Sequence, residues 1–255
     1  MTSARTLSDW LVTPQGQYVM MREQAVFDRS VADIFGFNAV QLGLPQHHLL
    51  RSSRIPLHIL AGKEPGVKLW LETVELPFET GSIDLVLLPH VLEFNQHPHE
   101  ILREVERVLQ PEGSVIISGF NPLSLWGLRR ALGSKEGYPW CGNFISVQRM
   151  KDWMALLGFE VDAAHYACYA PPFNGSTLLT RAQSLEPVKE RNLAAIGGIY
   201  VLQAKKRVPG MRLIKPKWNG RLVRNLLPAS AKLNKEGHSQ TSEVTHWKAH
   251  KQNNE

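Results

Sequence analysis

Residues 41–48 read Gln-Leu-Gly-Leu-Pro-Gln-His-His and follow the short apolar run Phe37-Asn38-Ala39-Val40. A strand that runs into a glycine-containing turn is where many α/β proteins bring backbone N–H groups up to a ligand. Gly43 fits that use, and it fits an ordinary turn equally well. His47-His48 and His97-Pro98-His99 raise the question of a metal. Neither pair has the helical i, i+4 spacing of a zinc motif, and no Cys or carboxylate completes a set, so no metal is expected. Cys141 and Cys168 are the only cysteines and form no CxxC. Cys141 has no identifiable partner to activate it as a nucleophile. His90 and Glu93 follow an apolar run and could face a cleft, although Glu93 reads better as a structural acceptor. Asn121 and Trp126 follow the next run. They could meet a substrate, or start a turn and pack in the core.

These groups need elements to position them. Thr13-Pro14 and Gly36 bracket a helix over about 14–35, with Met20, Phe27, Val31 and Ile34 at helical spacing. Strands are expected at 38–43, 55–60 and 67–73. Ser82 to Leu88 is apolar on both faces after Asp84, as in a covered parallel sheet. Pro98 opens a helix striped by Ile101, Leu102, Val105, Val108 and Leu109, which Pro111-Glu112-Gly113 ends before a strand at 114–118. That strand–helix–strand order is a βαβ unit. A helix capped by Ser146 leads to Gly158, then strands at 159–166 and 198–204. The stretch 170–197 gives no clear reading.

The length of 255 residues suits one large domain or one domain with an appendage. No apolar run approaches the roughly 20 residues that cross a bilayer, and the first residues lack a continuous apolar h-region. A cytoplasmic protein is therefore expected. The charge is uneven: residues 205–255 carry +9 and the first 204 carry −3. A domain over 1–207 and a basic, largely disordered tail over 208–255 are expected. The tail could contact nucleic acid or an acidic partner, with a solvated end as the simpler reading.

The run from Glu75 to Pro122 resembles the second half of a class I S-adenosylmethionine-dependent methyltransferase, closest to the type 11 family. The features come in register: Leu76-Pro77-Phe78, the Ile83-Asp84-Leu85-Val86 strand, His90-Val91-Leu92-Glu93, the amphipathic helix, Leu109 to Gly113, and another strand. The resemblance implies an α/β, Rossmann-like, mostly parallel sheet with helices on both faces and an antiparallel last strand. It also implies S-adenosyl-L-methionine as cofactor, with the methyl acceptor unknown. The cofactor is expected at Gln41, Gly43, Glu72, Thr73, Val74 and His90, with His90 the candidate base, and the acceptor at Asn121 and Trp126. The chain departs from the family pattern in two places. Gln41 stands where the family has an acid, with Pro45 and His47 in place of the next glycines. Only six residues, Ala61 to Gly66, separate the second and third strands, so the region between strands 1 and 3 is shortened. A parallel crossover needs about a dozen residues, so either those two strands form a hairpin or one is not a strand. Glu64 is a poor substitute for the missing ribose acid. A catalytically inactive interaction module is the alternative reading.

Overall fold

The computed structural model describes residue 4 and residues 6–172 and 196–208. By its contacts the chain divides into Met1–Gly210 and Met211–Glu255, and all described residues belong to the first unit. Residues 173–195, which the sequence left unread, and the basic tail from 209 onward lie outside the described residues.

Two helices open the chain. The first, α1 (Leu7–Leu11), is closed at its start by a reciprocal cap in which the Thr6 hydroxyl accepts from the Asp9 N–H and the Asp9 carboxylate accepts from the Thr6 N–H. The second, α2 (Pro14–Ala32), has Thr13 as N-cap and proline at its first position, as the sequence predicts. The strands are β1 (Asn38–Leu42), β2 (Leu57–Gly62), β3 (Leu69–Trp70), β4 (Ile83–Pro89), β5 (Leu109–Phe120), β6 (Phe159–Ala167) and β7 (Ile199–Lys206). Three further helices are α3 (Pro98–Val108), α4 (Leu125–Leu132) and α5 (Val147–Leu156). The strands form one sheet in the order β3-β2-β1-β4-β5-β7-β6. The first five are parallel, and β7 runs antiparallel between β5 and β6.

Alternate residues of the central strands feed two cores, one on each face. Ala39, Leu85, Leu87, Ile116 and Val201 pack with α1 and α2 through Trp10, Val19, Phe27 and Val31. Val40, Val86, Leu88, Val115, Ile117 and Leu202 pack with α3 and α5 through Ile101, Val105, Met150 and Met154. The fold is thus the Rossmann-like, mostly parallel arrangement expected, with helices on both faces.

The region between strands 1 and 3 corrects the sequence reading. β2 and β3 form neither a hairpin nor a false strand: they pair in parallel, but only at Ala61↔Leu69 and Gly62↔Trp70. Since just the carboxyl end of β2 is paired, the chain need only loop out and step back a short way, and no crossover helix is required. Gly62 and Gly66 take positive φ in that loop. Residues 43–56 join β1 to β2 through turns and bends, and Leu44, Leu49, Leu50 and Ile55 fill the core there.

Asp84 fixes where β1 starts. It is nearly buried in β4, and its Oδ2 accepts from the Phe37 N–H at 2.8 Å and the Asn38 N–H at 2.9 Å. We expect Asp84→Ala to leave both amides unsatisfied and to lower unfolding free energy by about 2–4 kcal/mol in a urea titration. A loss near zero would mean water replaces the carboxylate freely.

Candidate functional site

A cavity of about 530 Å³ opens at the carboxyl ends of β1, β2 and β4, where open α/β sheets hold their ligands. Its volume is in the range of small-molecule sites. Gly43 and Leu44 enter it after β1, and Gly62, Lys63, Glu64 and Pro65 at and after the end of β2. Thr73, then Pro89, His90 and Val91 at the end of β4, and Phe94 and Asn95 continue the wall. The remaining wall is Tyr138 together with two parts the sequence did not foretell, Thr6 to Asp9 of the first helix and Gln46.

The residues expected at the cofactor separate into two groups. Gly43, Thr73 and His90 line the cavity. Gly43 has φ +81, and a Cβ built on it would meet only Val91 Cγ2, at 3.6 Å. Its N–H is already engaged, donating to the Ala61 carbonyl at 2.8 Å. Thr73 Oγ1 accepts from Asn95 Nδ2 at 3.2 Å. Gln41, Glu72 and Val74 do not line the cavity. Glu72 is exposed and pairs with Lys63, while Val74 packs against the core behind the wall. Two carboxylates do line the cavity, Asp9 and Glu64, and Glu64 Oε2 accepts from Ser8 Oγ at 2.9 Å.

Gln41 explains the altered loop. Its buried Nε2 shares its two N–H groups among the carbonyls of Gly43 at 3.1 Å, Leu44 at 3.0 Å and His47 at 2.9 Å. Its Oε1 accepts from the Leu49 N–H at 3.1 Å. Three carbonyls converging on one side chain need a donor, and a carboxylate has none to give. The loop is therefore wound around the amide, and Leu44, held at φ +48, sends its side chain into the core. Pro45 lies against Gly66 and is not part of the cavity wall.

His90 occupies a different position from that of a free base. Its side chain is fully buried, with Nε2 3.1 Å from Glu23 Oε2 and Nδ1 in a short contact with Glu93 Oε1. Glu93 Oε2 also accepts from the Phe120 N–H at 2.9 Å. Burial alone would push the imidazole pKa down, but the two carboxylates outweigh it and raise it to about 10. An imidazolium clamped at both nitrogens has no lone pair to take a proton at neutral pH. His90 is thus held between two carboxylates at the cavity wall, and Glu93 bonds the Phe120 backbone as well.

Asn121 and Trp126 are also occupied within the fold. Asn121 Nδ2 donates to the Gly197 carbonyl at 3.0 Å, and its Oδ1 accepts from the Leu123 N–H. Trp126 Nε1 donates to the Ala170 carbonyl at 2.9 Å, and its ring stacks with Trp140. Both are buried and neither lines the cavity, so the geometry gives them the turn and core roles that the sequence left open. The pattern Thr6-Leu7-Ser8-Asp9 is a capping-box signature that could have disclosed α1. Nothing local foretold that α1 would meet the sheet edge. Among the described residues, no group of three or more His, Cys, Asp or Glu is placed to hold a metal ion. None of the helices there is long and apolar enough to cross a membrane.

A family model described as a methyltransferase domain matches residues 57–117. That stretch runs from β2 through most of β5 and includes the β4 end of the cavity wall. Over that stretch the chain is similar to the methyltransferase-domain family that the sequence resembles. The family's cofactor is S-adenosylmethionine. An uncharacterized protein of Escherichia coli, YafS, is 34% identical over 145 residues, 55% of either chain. A malonyl-[acyl-carrier protein] O-methyltransferase of Laribacter hongkongensis is 30% identical over 117 residues, 46% of this chain and 36% of that one. The matches thus span about half or less of those relatives' own length. In structure, the methyltransferase fold is shared with a SAM-dependent methyltransferase of Thermotoga maritima at a TM-score of 0.53 and 16% identity, over 72% of this chain and 89% of that one.

Two outcomes test the site's construction. Gln41→Glu should cost about 2–3 kcal/mol of unfolding free energy, since three carbonyls lose their donor and face a carboxylate instead. A variant as stable as the parent would show that the loop rearranges. For His90, the folded pKa near 10 lies above the ordinary value of 6.5. Its contribution is therefore complete below about pH 6.5 and lost as pH rises through 10. The melting-temperature gap between the parent and His90→Asn, which tolerates the left-handed backbone at φ +54, should narrow over that window. A constant gap would place the charge elsewhere.

Proposed function

We propose that this chain is an S-adenosylmethionine-dependent methyltransferase whose cofactor occupies the cavity at the ends of β1, β2 and β4. The observation that supports it best is the set of polar groups gathered there from separate elements. Glu64 offers a carboxylate suited to ribose hydroxyls, while Thr73 and Asn95 offer a hydroxyl and an amide suited to the edge of an adenine. Gly43 leaves the space of a missing side chain beside Val91. Bound S-adenosylmethionine would supply an activated methyl group on a sulfonium. The protein's task is then alignment of an acceptor oxygen, nitrogen or carbon, exclusion of water and, for acceptors that must lose a proton, a base. Phe94 and Tyr138, whose rings lie 4.8 Å apart, wall the cavity and suit the exclusion of water. Burial raises the Tyr138 phenol above its ordinary value, so it serves this wall as a neutral hydroxyl.

A second reading is a binding module of the same fold without turnover. It is favoured by the engagement of the Gly43 N–H with Ala61, which removes a donor from the loop, and by the clamped state of His90. Isothermal titration decides the common part. We expect saturable binding of one equivalent of S-adenosylmethionine, weakened about tenfold by Glu64→Ala, the size of one charged hydrogen bond. No heat, together with no shift in melting temperature at saturating ligand, would overturn both readings. Transfer of labelled methyl to a fraction of cell extract would then separate enzyme from module.

A further inference from the structure

Glu23, His90 and Glu93 form a buried group behind the cavity wall, contributed by α2, the end of β4 and the turn that follows. The side chains of Glu23 and His90 are fully buried and that of Glu93 is 3% exposed. With both ring nitrogens facing carboxylate oxygens, the three groups hold one proton beyond a neutral imidazole and two carboxylates. Wherever that proton sits, the group carries one net negative charge. Glu23 Oε1 finds no hydrogen-bond partner in the described structure, so part of that charge is unsatisfied. The neighbouring Tyr200 phenol is held well above its ordinary range, first by burial and then by Glu93. A charge so placed is weakly screened and acts on whatever lies across the wall.

The charged cavity-lining residues in contact with solvent are Asp9, Lys63 and Glu64, and Lys63 is paired with Glu72. They do not offset the buried charge, and water screens them more. We propose that the buried Glu23–His90–Glu93 group makes the cavity selective for a cationic ligand, so that it favours the sulfonium of S-adenosylmethionine over the neutral thioether of S-adenosylhomocysteine. Glu23 is thus a specificity-determining residue that touches no ligand, and loss of charge at sulfur on methyl transfer weakens the hold on the product. The inference rests on the cofactor reading above and deepens it.

The test is the ratio of the two dissociation constants, that of S-adenosylhomocysteine over that of S-adenosylmethionine, by isothermal titration. Glu23→Gln removes the charge, keeps the shape and leaves an amide oxygen to accept from His90 Nε2. It should lower the ratio about tenfold by weakening S-adenosylmethionine alone, and in the parent the ratio should change less than twofold between low and high salt. If Glu23→Gln does not fold, the salt dependence of the parent's ratio alone decides the proposal. An unchanged ratio in a folded variant, equal weakening of both ligands, or a steep salt dependence in the parent would overturn the proposal while leaving the cofactor reading intact. Binding of neither ligand by the parent would overturn the cofactor reading and this inference together.

Discussion

The buried contact between His90 and its two carboxylates ties together parts of the chain that share no secondary structure. Glu23 brings in α2, His90 ends β4, and Glu93 reaches the Phe120 amide at the end of β5. Removing one partner from such a group strands a buried charge, which costs far more than the interaction would gain at a surface. The group therefore fixes α2 on the sheet and sets the backbone of His90 at positive φ. Pro89, His90 and Val91 are in turn the part of the β4 end that meets the cavity.

The first loop shows the same economy of one side chain acting on several backbone groups. A glycine-rich loop keeps its carbonyls and amides free for a ligand, whereas here Gln41 gathers three carbonyls inward. Leu44 packs its side chain in the core and Pro45 lies against Gly66, while Gly43, Leu44 and Gln46 line the cavity. Glu64, carried by the short β2–β3 connection, reaches the cavity, while Glu72 stays on the outer surface with Lys63. The wall is completed by α1, whose Ser8 links Glu64 and Gln46. The cavity is thus assembled partly from residues that precede the stretch shared with the methyltransferase family model.

Much of the fold is legible in the residues themselves. The all-apolar β4, the stripe of α3 and the Pro-Glu-Gly turn define a βαβ unit through side-chain periodicity alone, because burial on both faces of a parallel sheet leaves no other use for such a run. Thr13-Pro14 sets the start of α2 for a reason as local as its own hydroxyl and ring. What the sequence determined is this covered parallel sheet, its helical layers and the family that its middle third resembles.

Tertiary structure decided the rest. Whether Glu64 or Glu72 faces the cavity depends on a two-residue parallel pairing that spacing rules argued against, and only the three-dimensional path shows how little return distance it needs. His90 was open to solvent or to the core by its position in the chain. Glu23, distant in sequence, turned it into a clamped cation, since the pKa of a buried group is set by charges that meet it in space. Asn121 and Trp126 likewise took their roles from carbonyls at Gly197 and Ala170. A residue's type fixes what it can donate or accept, but its partner is chosen by folding.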